Sequence, residues 1–145
     1  MIARGLLLFA ALLAVDMAQA LDFRSVVEPA LLYDAPSQQA SPVFAIARGT
    51  PVEAVVILDA WVKVRDAKGN LAWIEKRLLG DKRTVMVAEG RVSVLAQPDE
   101  KAATVFQADR DVLVEVVEAA PVGWVKVRHR DGQQGYLKAA QVWGL

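Results

Sequence analysis

Apolar and polar residues alternate with a period of two along most of this chain. In Trp61–Arg65, Val62 and Val64 lie on one face of an extended strand, and the residues between them lie on the other. The segment Trp124–Arg128 repeats the same five letters, WVKVR. The alternation predicts β-strands, and no strongly amphipathic helical pattern occurs after residue 20.

Turn-forming residues separate the predicted strands. Lys68-Gly69-Asn70 follows the first WVKVR segment, and Asp131-Gly132 follows the second. Asp-Gly between two alternating runs predicts a tight hairpin, because such a turn needs positive φ angles that glycine adopts freely. Short strands with frequent turns predict an all-β fold, either a small barrel or a sandwich.

The alternating pattern occurs twice. Leu32–Pro36 lies 62 residues before Val94–Pro98, and from Trp61 onward the offset is 63. One residue is therefore inserted in the second copy, between residues 117 and 124. The pattern predicts a duplicated domain at residues 21–80 and 85–145, joined by a linker at residues 81–84. Each copy is close to the lower size limit for a self-sufficient core.

The first twenty residues differ from the rest. Arg4 precedes an uncharged apolar run, LLLFAALLAV, and Ala18-Gln19-Ala20 follows it. This order predicts a cleaved signal peptide at residues 1–20, and an uncleaved anchor is the alternative. No later run is long and apolar enough to span a bilayer. We therefore expect a periplasmic or otherwise extracytoplasmic protein with no stable membrane insertion after cleavage.

Charge and residue usage exclude several functions. Lys and Arg number 17, as do Asp and Glu, so there is no basic excess with which to bind nucleic acid. The absence of Cys excludes disulfides, thiol catalysis and Cys-ligated zinc. A single His, His129, and no catalytic or nucleotide-binding motif predict a non-enzyme without metal or cofactor. We expect no deep pocket near Asp109, Asp111 or His129.

Each copy has an early turn with proline, a valine-rich strand, Trp-x-x-Val, a glycine turn and an aromatic-aliphatic pair. The pairs are Trp73-Ile74 and Tyr136-Leu137. This pattern resembles the bacterial SH3 domain over nearly all of the chain after residue 20. The resemblance implies two tandem SH3-like barrels of about five strands each, and binding of cell-wall peptides or protein partners. Two features depart from it: the first loops lack an Arg that many members carry, and Ala72 replaces the more typical glycine, Gly135 in the second copy.

Aromatic residues are the main candidates for binding. If the valines of WVKVR form the core, the Trp and Lys between them face outward, towards a groove between the first loop and the loop before the Trp. The predicted ligand-binding residues are Tyr33, Trp61, Lys63, Trp73, Trp124, Lys126 and Tyr136. The alternative for the aromatic rings is packing within a small barrel, which we expect for Phe44 and Phe106. The alternative for the Lys and Arg side chains is a solvated face with carboxylates opposite.

The sequence therefore predicts an exported, non-catalytic binding module. Its ligand would be a peptide segment of an envelope protein or of the cell wall. The alternative function is a structural subunit or stabiliser of an envelope complex, with the aromatic residues buried between the two barrels.

Overall fold

A computed structural model describes residues 20–118 and 120–145. The predicted leader, apart from Ala20, lies outside the described residues. The described part consists of fourteen β-strands and two short 3₁₀ helices, arranged in two seven-stranded antiparallel sheets. None of the helices described here is long and apolar enough to cross a membrane.

The first sheet spans residues 23–80. Its strand order is β3-β2-β6-β5-β4-β1-β7, and a 3₁₀ helix at Lys76–Leu78 precedes its last strand. The strands are β1 Phe23–Val26, β2 Ala30–Tyr33, β3 Pro42–Ile46, β4 Pro51–Ile57, β5 Trp61–Arg65, β6 Leu71–Glu75 and β7 Leu79–Gly80.

The second sheet spans residues 84–143 and has the equivalent order, β10-β9-β13-β12-β11-β8-β14. A 3₁₀ helix at Ala139–Gln141 precedes its last strand. The strands are β8 Thr84–Val87, β9 Val92–Leu95, β10 Thr104–Ala108, β11 Leu113–Glu118, β12 Trp124–Arg128, β13 Gln134–Lys138 and β14 Val142–Trp143. The two copies thus share one topology.

Each sheet curls around its own core. In the first, Val64 and Ile74 are essentially inaccessible to solvent, and in the second Val127 and Leu137 are. The predicted alternation of WVKVR is confirmed, because both valines of each segment are buried and the residues between them are half-buried. Burial of these aliphatic side chains is the main stabilising contribution that each copy has.

The all-β tandem fold is confirmed, with seven strands per copy where about five were expected. The additional strands are short terminal segments that pair with each other. Ser25 of β1 pairs with Gly80 of β7, and Met86 of β8 pairs with Trp143 of β14. Each copy therefore begins and ends at the same edge of its sheet.

Of the core and edge packing expected for Phe44 and Phe106, Phe44 shows the edge position and not the core one. Phe44 is 40% exposed, because β3 is an edge strand and every residue from Pro42 to Ala45 is exposed. Its counterpart Phe106 is half-buried and packs against the second core. Strand alternation predicts the face of a side chain, but it does not predict whether a neighbouring element covers that face.

The two barrels contact each other through residues at their termini. The rings of Phe23 and Trp143 meet edge to face, with centroids 5.0 Å apart and planes at 81°. Arg83, in the connection between the copies, donates a hydrogen bond from Nη2 to the carbonyl oxygen of Gly144 at 2.9 Å, which ties this connection to the end of the second barrel. A methyl group added at Gly144 would lie 2.9 Å from Cβ of Pro51, so the backbone at Gly144 closely approaches the first barrel.

Candidate functional site

Four of the predicted binding residues form one surface on the first barrel. Lys63 of β5 and Tyr33 of β2 are both direct cross-strand neighbours of Trp73 on β6. Trp61 lies two residues before Lys63 and therefore shares its face. All four side chains are half-buried. We call Tyr33, Trp61, Lys63 and Trp73 the aromatic face.

The indole of Trp61 is held by Tyr33. The two rings meet in an edge-to-face arrangement, with centroids 5.6 Å apart and planes at 89°. This is a favoured geometry, because the electropositive edge of one ring meets the electron-rich face of the other. A ring fixed in this way loses less conformational freedom when it contacts a ligand.

An open groove of about 700 Å³ borders Trp61. It lies between the loop after β2 and the loop before β5, which is where the sequence predicted a groove. We call it the Trp61 groove. Its lining residues are Pro36, Ser37, Gln38, Gln39, Asp59, Ala60, Trp61, Glu75, Lys76 and Arg77.

A hydrogen-bonded carboxylate lies in the Trp61 groove. Gln38 Nε2 donates to Glu75 Oε1 at 2.9 Å, and Arg77 Nε donates to Glu75 Oε2 at 2.6 Å. These bonds, that of Gln38 first, lower the pKa of Glu75 below its usual value, so its carboxylate remains charged. The bond from Gln38 also ties the loop after β2 to the end of β6.

The second barrel presents a different surface. Leu95 pairs with Tyr136 at the place where Tyr33 pairs with Trp73 in the first barrel. Lys126 Nζ lies 5.8 Å from the centroid of the Tyr136 ring and 2.8 Å from Glu118 Oε1. Its hydrogen bond to Glu118 raises the pKa of Lys126. The ammonium of Lys126 thus has partners within its own chain, and Trp124 on the same strand is half-buried.

Most strand cations beside the two Trp residues have carboxylates opposite. Arg65 lies 2.8 Å from Glu53 on β4. Arg128 lies 3.1 Å from Glu115, and Lys126 is bonded to Glu118 as described. Among the described residues, Lys63 has no carboxylate within ion-pair distance and differs from the other three in this respect.

Sequence reasoning missed the polar part of the groove. Gln38 and Glu75 received no role, although the repeat offers a signal for them. At the equivalent positions the second copy has Glu100 and Lys138, which also pair with each other. When two positions both differ between the copies but can still form a favourable pair in each copy, they are expected to be neighbours in the fold. Phe23, which contacts Trp143, was also missed, because no periodic pattern marks it.

A further, open cleft of about 870 Å³ lies beside His129, and neither Asp109 nor Asp111 lines it. His129 Nδ1 is 3.1 Å from Asp131 Oδ2, within the turn between β12 and β13. Within residues 20–118 and 120–145, no three His, Cys, Asp or Glu side chains cluster in a way that would hold a metal ion.

A family model of the bacterial SH3 domain matches the chain twice, over residues 26–81 and 88–144. The chain belongs to the bacterial SH3 domain family. Domains of this family are often binding modules. The two matches together include the aromatic face, the Trp61 groove and their counterparts in the second barrel. A search of curated proteins found no match.

Solved structures with a similar chain path include two proteins of Trichomonas vaginalis. NlpC1 is 14% identical and aligns over 94% of this chain and 50% of its own, with a TM-score of 0.39. NlpC2 is 12% identical over 86% and 48%, also with a TM-score of 0.39. An NlpC/P60 family protein from Bacillus cereus is 14% identical over 84% and 56%, with a TM-score of 0.38. The chain spans about half the length of these structures, and similarity at this level carries no information on function.

Proposed function

We propose that this bacterial SH3 protein is a non-catalytic module that binds a peptide segment in the Trp61 groove. The observation that supports the proposal is the half-buried indole of Trp61, fixed by Tyr33 at the border of an open groove. Trp and Tyr rings provide a large contact area at a low cost in conformational entropy, and they also offer a polar atom.

The charges of the groove limit the type of peptide. Asp59 and Glu75 are balanced by Lys76 and Arg77 among the lining residues. A strongly charged ligand would gain little from such a surface. A short peptide that carries both positive and negative groups, or no charged group, fits better. It can stack on Trp61 and form hydrogen bonds with the polar residues. Peptides of the cell wall and extended segments of envelope proteins both have this character.

The first barrel is proposed as the main binding site. It combines three aromatic rings with Lys63, which has no carboxylate partner within residues 20–118 and 120–145, whereas Lys126 of the second barrel is bonded to Glu118. The second barrel could contact the same ligand through Trp124 and Tyr136. If one ligand reached both barrels, the second contact would add affinity through effective concentration.

Export is proposed from the sequence of residues 1–20, which lie almost entirely outside the described part. The segment has the charged start, apolar centre and small-residue end of a secretory signal. N-terminal sequencing of the protein recovered from an extracytoplasmic fraction tests this proposal. A first residue of Leu21 supports cleavage, and an intact Met1 in a membrane fraction contradicts it.

The proposed function predicts that Trp61→Ala weakens peptide binding more than Trp124→Ala does. The probes are purified peptidoglycan sacculi, assayed by co-sedimentation, and soluble muropeptides, assayed by NMR titration. A Trp at the centre of an interface typically contributes about 2 kcal/mol or more, so Trp61→Ala should bind roughly 30-fold more weakly. Trp124→Ala serves as the matched control because it removes the same side chain from the equivalent position.

Melting temperatures of both variants distinguish loss of a contact from loss of the fold. If Trp61→Ala unfolds, Trp61→Phe keeps a ring in place and should bind with intermediate affinity. Equal binding by wild type and a folded Trp61→Ala variant would show that the groove is not the binding site. Binding of an envelope-protein segment, but not of muropeptides, would identify the protein partner as the source of the peptide.

The alternative, a structural role, has one specific observation in its favour. An aromatic pair, Phe23 and Trp143, does lie between the barrels. Trp61 and Trp73 are not part of this pair, since they belong to the aromatic face of the first barrel. Acrylamide quenching of variants with a single Trp separates the two functions. Accessible Trp61 with shielded Trp143 supports the groove, and shielded Trp61 supports the structural role.

A further inference from the structure

The cleft beside His129 lies between the two barrels and is formed by both. Arg48 and Gly49 come from the turn between β3 and β4 of the first barrel. Lys82 comes from the connection between the copies, and Thr84 is the first residue of β8. The rest of the lining belongs to β11 and the turn after β12: Val112, Leu113, Val114, Glu115, Arg128, His129, Arg130 and Gly132. We call it the inter-barrel cleft.

Positive charge is concentrated in the inter-barrel cleft. Four Lys or Arg side chains line it together with a single carboxylate, that of Glu115. The chain as a whole has equal numbers of acidic and basic residues, so this local excess does not follow from composition. An excess of one charge in a concave surface raises the local concentration of ligands of opposite charge.

The single carboxylate is already neutralised. Lys82 Nζ lies 3.1 Å from Glu115 Oε2, and Arg128 Nη2 lies 3.1 Å from Glu115 Oε1. Partial burial acts to raise the pKa of Glu115, but the hydrogen bonds from these two cations outweigh it and lower the pKa. Glu115 therefore has its partners and leaves the other cations of the cleft unopposed.

Two guanidinium groups in the cleft remain without a carboxylate. Arg48 and Arg130 are exposed, and neither forms an ion pair with any residue in the described ranges. They come from different barrels. Arginine is suited to carboxylates because its planar group can donate two parallel hydrogen bonds.

The cleft also contains a polar group without a partner and an apolar floor. Thr84 is 9% exposed, and its hydroxyl has no hydrogen-bond partner among the described residues. Val112 and Leu113 are half-buried and present aliphatic surface beside the cations.

We propose that the inter-barrel cleft binds an acidic peptide segment. Carboxylates of the peptide would pair with Arg48 and Arg130, and an aliphatic side chain of the peptide would cover Val112 and Leu113. Inorganic phosphate would satisfy the guanidinium groups but would gain nothing from the apolar floor. The site is separate from the Trp61 groove, whose charges are balanced, and it does not depend on the function proposed for that groove.

The site requires the tandem arrangement of the two copies. At the position of Arg130 the first copy has Ala67, so the first barrel lacks this cation. Gly49 packs near the second barrel, since a methyl group added there would lie 3.9 Å from Leu113 Cδ1. Duplication followed by divergence of one turn therefore created a surface that a single copy does not have.

The test uses the full chain from Leu21 and two fluorescein-labelled octapeptides, one alternating Glu and Leu and one alternating Gln and Leu. Fluorescence anisotropy should show binding of the Glu peptide that weakens as NaCl is raised, and much weaker binding of the Gln peptide. The double variant Arg48→Ala/Arg130→Ala should bind the Glu peptide at least tenfold more weakly, because it loses charged hydrogen bonds.

The control is Lys68→Ala/Lys101→Ala, which removes the same charge from exposed turns outside the cleft. It should retain wild-type affinity within about twofold, as should Trp61→Ala. Amide shifts of Gly49, Leu113 and Gly132 on titration should place the peptide in the cleft. The proposal would be refuted if the Glu peptide did not bind, if both peptides bound equally, or if the control variant lost as much affinity as the double Arg variant. Competition by inorganic phosphate at low millimolar concentration would also refute it.

Discussion

Single residues at equivalent positions of the two copies have different surroundings. Tyr33 corresponds to Leu95, and Ala72 corresponds to Gly135. In the first barrel the ring of Tyr33 contacts the indole of Trp61, which borders the Trp61 groove, and Ala72 lies in the core. In the second barrel the glycine permits a close approach of strands, and no ring occupies the position of Tyr33. Two barrels with one topology therefore carry different side chains at these positions.

Gly135→Ala should destabilise the second barrel. A methyl group at Gly135 would lie 2.7 Å from the carbonyl oxygen of Leu95, and a backbone atom in a sheet cannot easily move away. We expect a loss of about 1–3 kcal/mol in the free energy of unfolding, measured by urea denaturation. Ala72→Gly is the comparison variant, with a loss of only about 1 kcal/mol from backbone entropy and a lost methyl group. Unchanged stability of Gly135→Ala would show that β9 and β13 can separate without cost.

At the scale of elements, strand faces are predictable but strand environments are not. β5 and β12 have the faces that the alternation of WVKVR predicts, because successive side chains point to opposite sides of any strand. Strand β3 is apolar and shows little alternation. It nevertheless lies at the edge of the sheet, and Phe44 is exposed. Its position depends on which strands pair, and pairing is a property of the whole barrel.

Strand β6 has five residues and contains both a buried and an exposed aliphatic side chain, so it provides a test of the difference between face and burial. Ile74 is inaccessible to solvent, whereas Leu71 is 46% exposed. Ile74→Ala should reduce the free energy of unfolding by about 2–5 kcal/mol, because it leaves a cavity in the first core. Leu71→Ala should cost less than about 1 kcal/mol, since its side chain is largely solvated. Thermal and chemical denaturation measure both, and similar losses would contradict the assigned core.

At the scale of the whole molecule, the contact between barrels determines which surfaces exist. Phe23, Trp143 and the close approach of Gly144 to Pro51 hold the copies together. The inter-barrel cleft depends on this packing, because Arg48 and Arg130 belong to different barrels. The Trp61 groove is formed by the first barrel alone. The two proposed sites should therefore respond differently when the barrels are uncoupled.

Trp143→Ala should uncouple the barrels. The variant removes the ring that packs on Phe23, and aromatic pairs contribute about 0.5–1.5 kcal/mol beyond the area they bury. Calorimetry should show separate unfolding transitions for the two barrels, and binding of the Glu-Leu octapeptide should weaken while muropeptide binding is retained. Phe44→Ala removes an exposed ring and should leave the transition of the wild type unchanged. A wild-type calorimetric profile for Trp143→Ala would show that other contacts couple the barrels.

The sequence by itself determined the fold of this protein. Strand alternation, turn residues and the repeat are local signals, and they sufficed for two all-β barrels with Val62, Val64, Val125 and Val127 inside. The sequence also indicated the aromatic face, because outward-facing residues on one strand are readable from the period of two.

Only the tertiary structure decided the rest. The contact of Tyr33 with Trp61, the pairing of Gln38 with Glu75 and the exposure of Phe44 depend on strands that are distant in sequence. The inter-barrel cleft depends on how two complete barrels pack, so no local pattern could show that Arg48 and Arg130 line the same cleft. Side-chain direction is set by neighbouring residues along the chain, whereas partners and burial are set by elements that meet only after folding.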